Sequence, residues 1–176
     1  MSTSEERLAC GPASSESASS ETDDPDVKER LQEAMEALSQ CLKAELTALE
    51  GYDLALKHAM HPQVSQALLE LRGDHARRTD LLRNRIKGSR STPNEGMGAT
   101  GALAELVAAS SDAPEDGAAI EALEEFEHRG LELYRDGLTL VDPSTRAFFE
   151  TVLLPAQQRT HDLCRSLQGY MRQPAS

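Results

Sequence analysis

Five side chains in this sequence are of the kinds that bind transition metals, and a helical bundle could bring them together: Glu45, His75, Glu124, Glu127 and His161. Carboxylate and imidazole donors suit iron or manganese, and ions held by them could cycle with dioxygen or peroxide. Each of the five lies on or beside an apolar stripe. Steps of three and four through the first stripe give Leu31, Met35, Leu38, Leu42, Glu45, Leu49, Tyr52 and Leu56, the inward seam of a bundle helix. Glu45 stands there in place of a leucine. A later stripe, Ile120, Glu124, Glu127, Leu131, Tyr134 and Leu138, carries two carboxylates in the same manner. Val64, Leu68 and Leu71 lead to His75, and His161 edges the stripe through Leu153, Gln157 and Cys164.

The donor set is incomplete for a two-metal centre. Such a centre in a four-helix bundle takes a Glu from each of two helices and a Glu-x-x-His pair from each of the others. The spacing matters because positions i and i+3 share a helix face. Here Arg72 stands three residues before His75, and Gln158 three before His161. A cation and a neutral amide cannot replace the anions that would offset two metal ions in a core of low dielectric. Glu125-x-x-His128 has the spacing, but His128 is off the stripe and no second copy answers it.

The same residues also have metal-free roles. Glu45 and Glu127 would sit at the stripe's border, reaching water or an Arg from the linker. His75 and His161 would be hydrogen-bonded interior or border residues, and Tyr52 and Tyr134 would cap core layers with their hydroxyls satisfied. The Glu-rich run at 121–127 would be a solvated face. On this reading Glu45→Leu leaves the fold intact and raises its melting temperature.

The elements that must position these groups are all helical. After an acidic, Ser-rich tail (residues 1–25) expected to be disordered, one bundle spans 26–172. Its helices are expected at 26–58, 62–88, 115–139 and 143–171, with a crossover and short helix between 89 and 114. His61-Pro62 breaks the first helix from the second, and so short a turn makes them antiparallel. Asp142-Pro143-Ser144 opens the fourth. The two hairpins read as copies: Glu45, Leu49, Tyr52 and Leu56 recur 82 positions later as Glu127, Leu131, Tyr134 and Leu138, and TDLLR at 79–83 recurs as HDLCR at 161–165. The fold class is therefore all-α, a four-helix bundle of two duplicated hairpins with a long crossover, the architecture of ferritin-like proteins.

Composition narrows the partners. Lys and Arg total 18 against 30 Asp and Glu, and the net charge of -12 disfavours nucleic acid and anionic membranes. No apolar run reaches the length of a membrane span, and no leader is evident, so a cytoplasmic protein is expected. Cys10, Cys41 and Cys164 form no CxxC pair and are expected to be reduced, the latter two as small apolar fillers.

The segment AIEALEEFEHRGLELYRDGL, its Pro turn and THDLCRSL together resemble the second half of an uncharacterised bacterial family of ferritin-like bundle proteins, a domain of unknown function with two helical hairpins. EGYDLALKHAMHPQVSQALLELRGDHARRTDLL is similar to that family's first hairpin and GATGALAEL to its crossover helix, so the likeness covers roughly residues 30–170. Glu124, Glu127, Tyr134, His161 and Asp162 match the second-hairpin pattern. Gly51-Tyr52 is kept in the first, with Leu49 where relatives commonly carry an acid. The resemblance implies the fold and leaves activity open.

Three functions follow as expectations. The first is a non-catalytic ferritin-like bundle, stress-related or interacting with other proteins, with no cofactor and a degenerate metal site. The second is a metal-binding redox protein, di-iron or single-metal, that uses iron or manganese at Glu45, His75, Glu124, Glu127 and His161. The third is an oligomeric scaffold, a homo-oligomer paired through Leu103, Leu106 and Val107 of the crossover.

Overall fold

The computed structural model describes residues 25–89 and 116–172. These form four helical arms: α1 (Pro25–His58), α2 (Pro62–Gly88), α3 (Gly117–Gly137) and a continuous fourth arm. That last arm comprises α4 (Pro143–Phe148), a π-helical turn (Phe149–Leu153) and α5 (Leu154–Met171). No strand occurs among the described residues, and the chain is an all-α bundle. The acidic tail, Cys10 and the crossover with Leu103, Leu106 and Val107 lie outside the described residues. No described helix is long and apolar enough to cross a membrane.

Each hairpin is set by its turn. Pro62 at the start of α2 supplies the helical φ and has no N–H to leave unpaired. The turn before it is held from the other hairpin: Asp116, just ahead of α3, accepts from the backbone N–H of Met60 at 3.0 Å and of His61 at 3.2 Å, and meets His61 Nδ1 at 2.8 Å. Burial would raise the Asp116 pKa, but these donors outweigh it and hold the carboxyl below its ordinary value. The fourth arm opens with Asp142 accepting from the N–H groups of Ser144 and Thr145. α3 is shorter than the 115–139 expected: it starts after Asp116, and at its end Leu138, Thr139 and Leu140 donate to carbonyls three residues back, the tighter pattern of a fraying terminus.

The π-helical turn has a local cause. Pro155 has no N–H for the carbonyl of Thr151, and its ring would crowd that carbonyl in a regular α-turn. A wider turn just before it relieves the clash by taking in one extra residue.

The arms close on two large apolar clusters, with a small third one of Ala34, Ala37 and Val141. One holds Ala48, Tyr52, Val64, Leu68, Leu71, Ile120, Leu123, Cys164 and Leu167; the other holds Leu38, Cys41, Leu42, Leu82, Ile86, Tyr134, Phe149 and Leu153. The stripe on α1 is rotated from the one read in the sequence. Leu31 is 56 % exposed, and Leu49 and Leu56 are half-buried; Cys41, Ala48 and Ala55 are buried beside Leu38, Leu42 and Tyr52. Between the two clusters every arm contributes polar groups, and the core becomes ionic.

Asp116→Ala is expected to lower stability in urea denaturation by about 2 kcal/mol, since three donors at the α1–α2 turn lose their acceptor. An unchanged midpoint would show that the turn does not need this tie.

Candidate functional site

α1 contributes Glu45, α2 His75 and Arg78, α3 Glu127, and α5 Gln157 and Thr160, all buried. The His75 imidazole lies between two carboxylates, with Nδ1 2.7 Å from Glu45 Oε2 and Nε2 2.7 Å from Glu127 Oε1. Carboxylates at both nitrogens favour the doubly protonated ring, and Arg78 Nη2 also stands 2.9 Å from Nδ1. Burial alone would push the His75 pKa down, but Glu127 and Glu45 raise it to about 9. Arg78 donates from Nε to Glu45 Oε1 at 2.9 Å and from Nη1 to Thr160 Oγ1 at 2.8 Å. For Glu45 burial acts upward, and His75 and Arg78 overcome it, bringing the carboxyl down to about 2. Two carboxylates, one imidazolium and one guanidinium make the cluster neutral overall.

The tyrosines cross between the hairpins. Tyr52 donates to Glu127 Oε1 and Tyr134 to Glu45 Oε1, each at 2.7 Å. Gln157 Nε2 completes Glu127 by donating to its Oε2 at 2.8 Å and to its backbone carbonyl at 3.2 Å. Gly130 makes room for that amide, since a Cβ there would lie 3.0 Å from Gln157 Nε2. Burial drives both tyrosine hydroxyls, and the thiols of Cys41 and Cys164, well above their ordinary pKa values. All four stay protonated at neutral pH.

The five side chains read from the sequence separate into two places. Glu45, His75 and Glu127 meet in the cluster. Glu124 and His161 face each other 3.6 Å apart on the outer side of α3 and α5, where both line a groove with His128. Glu45 and Glu127 are 2 % and 0 % exposed, so neither is a border residue, and the arginine that Glu45 meets comes from α2 rather than the linker. Of the acidic run, Glu121 and Glu125 are solvated, but Glu127 is fully buried.

The residues that the sequence reading missed are Arg78, Gln157 and Thr160. The 82-residue repeat holds their signal: Gln157 stands that far beyond His75, and Thr160 that far beyond Arg78, to which it bonds. His161 therefore corresponds to Thr79, and Gln157 is the true counterpart of His75. One more residue separates Pro143 from Gln157 than separates Pro62 from His75, and the π-helical turn absorbs it, keeping Gln157 and Thr160 pointed inward.

A pair of metal ions does not fit this cluster. The nitrogens of His75 point away from one another, each to its own carboxylate, so Glu45 and Glu127 lie on opposite edges of the ring. Arg78 fills the Glu45 edge, and no bridging carboxylate stands at Arg72, which pairs with Asp53 on the surface. Among the described residues no three His, Cys, Asp or Glu side chains converge on one point as metal ligands would. What the arrangement does chemically is hold two protonated bases against two carboxylates in the buried middle of the bundle.

Glu45→Leu strands Arg78 and His75 with one carboxylate fewer, and its expected effect is a loss of about 3–5 kcal/mol in chemical denaturation, not a gain. An equal or higher midpoint would contradict the ionic cluster. His75 has a folded pKa of about 9 against an ordinary 6.5, so its contribution is complete below 6.5 and is lost as pH rises through 9. Comparing stability between those two values in the native chain and in His75→Gln is expected to show a decline only in the former. Glu45 acts in the opposite sense: its contribution is present above 4.5 and is lost as pH falls toward 2.

Comparison with curated proteins and with solved structures returns no match. The family model described as a domain of unknown function, DUF2383, matches residues 33–139. That span is more than half of the chain and holds Glu45, His75, Arg78 and Glu127, and the chain belongs to that family.

Proposed function

We propose that this chain is a non-catalytic, ferritin-like bundle protein whose buried ionic cluster is structural and whose role, in stress or in protein interaction, is exercised through its surface. The observation that carries the reading is Arg78, whose guanidinium lies against Glu45 and completes the neutral cluster without a cofactor. Two carboxylates facing two protein cations have no charge left to offset a metal pair.

The alternative, a metal-binding redox protein using iron or manganese, draws on the meeting of Glu45, His75 and Glu127, three ligand-type side chains within hydrogen-bonding distance. Loading that centre requires His75 to give up a proton from the nitrogen that would ligate, and Arg78 to leave Glu45. Anaerobic addition of iron(II) followed by air separates the two readings. The structural reading expects oxidation at the rate of buffer alone. Rapid oxidation of a pair of irons per chain, abolished by Glu127→Gln, would establish the alternative.

A further inference from the structure

The start of α1 carries an apolar face that no described part of the bundle covers. α2 runs back along α1 from their shared turn and is seven residues shorter, so residues 25–31 extend past its end. Every residue from 25 to 33 is exposed; Val27 and Leu31, one turn apart, are 45 % and 56 % so. Leu140, 46 % exposed, stands beside them in the α3–α4 turn, above Ala34 and Val141, which are buried. These five side chains line a groove of about 550 Å³, with Arg30 and Glu33 beside them. A helix in a protein draws most of its stability from packing its apolar face, and here that face has no partner.

We propose that this groove is the contact between two copies of the chain, which pair their α1 starts antiparallel about a two-fold axis beside Leu31. Such an axis matches a surface to itself, so each charge on the patch has to meet its opposite. Arg30 and Glu33 satisfy that condition. They have opposite sign, stand on either side of Leu31 and Gln32, and neither pairs with another described residue. The axis sets Leu31 against Leu31 and brings each Arg30 opposite the Glu33 of the other copy. The chain's own remaining segments do not suit the groove. The last large apolar residue of the crossover is Val107, nine residues before Asp116, which is tied to the α1–α2 turn. Nine residues reach about 30–32 Å at full extension. α3 starts at that same turn and is itself about 31 Å long, and the groove lies beyond its far end. Residues 1–24 offer Met1 and Leu8 as their only large apolar side chains. A second copy presents both the apolar face and the complementary charges, and this contact is distinct from pairing through Leu103, Leu106 and Val107.

The test is sedimentation equilibrium of the full chain from micromolar to millimolar concentration, in about 0.15 M salt, which screens the net charge of -12 beyond about 8 Å. A reversible rise from the mass of one chain to that of two is expected. Leu31→Glu, at an exposed position that does not threaten folding, sets two carboxylates against each other at the axis and is expected to weaken the dimer at least about tenfold. Arg30→Glu and Glu33→Arg are each expected to weaken it, and the two combined in one chain to restore it, because the exchanged pair is again complementary. A charge that acted only within its own helix would show no such rescue. A monomer at every concentration would overturn the proposal and leave the groove to residues 1–24 or to another protein. A dimer indifferent to Leu31→Glu would overturn it too, and its loss on Leu106→Glu would then place the contact on the crossover. None of these results bears on iron oxidation at the buried cluster, so this inference and the proposed function fail separately.

Discussion

Everything in this bundle is arranged around the contact of His75 with two carboxylates. The imidazole touches Glu45 of α1 and Glu127 of α3 at 2.7 Å on opposite edges. It therefore fixes both helices against α2 at one height. Arg78, one turn along, reaches Thr160 of α5 and brings in the remaining arm. An apolar layer would hold four helices together without fixing their register, since leucines slide past one another at small cost. A layer of hydrogen-bonded charges permits one register only, because any slip leaves a buried charge uncompensated.

Neutrality also explains why the two halves are not identical. Each hairpin gives the centre one glutamate and one tyrosine, and each tyrosine reaches across to the other hairpin's glutamate. Only the first hairpin gives cations. Were His75 and Arg78 repeated at positions 157 and 160, four cations would face two carboxylates in a buried core. Gln157 and Thr160 are neutral substitutes that still donate or accept: Gln157 donates to Glu127, and Thr160 accepts from Arg78. A symmetric repeat would be electrostatically forbidden, and the observed one is balanced.

Much of this was legible in the sequence. Helical periodicity, the turn prolines and the repeat of Glu45 and Tyr52 as Glu127 and Tyr134 give the all-α bundle and place polar groups at its middle. Three points were not legible, each for a physical reason. The stripe on α1 turned toward Cys41, Ala48 and Ala55 because alanine and cysteine carry little hydrophobic weight in a pattern yet pack best where helices come close. Arg78 reads as a surface residue, since a lone arginine almost never goes under unless an acid waits for it, and that acid is remote in sequence. The histidine on α5 drew the reading to His161 and away from Gln157, because the residue type was matched and the register was not. The π-helical turn before Pro155 conceals the one-residue offset on which that register depends.

The central claim is that His75 is a buried cation locked between Glu45 and Glu127, and nitrogen NMR of its imidazole tests this most directly. With both ring nitrogens followed as pH is raised, the account requires a doubly protonated ring throughout the neutral range, losing a proton only near pH 9. A ring that titrates at or below its ordinary 6.5, or is a single neutral tautomer at pH 7, would contradict it. The two carboxylates would then be free to serve something other than the fold.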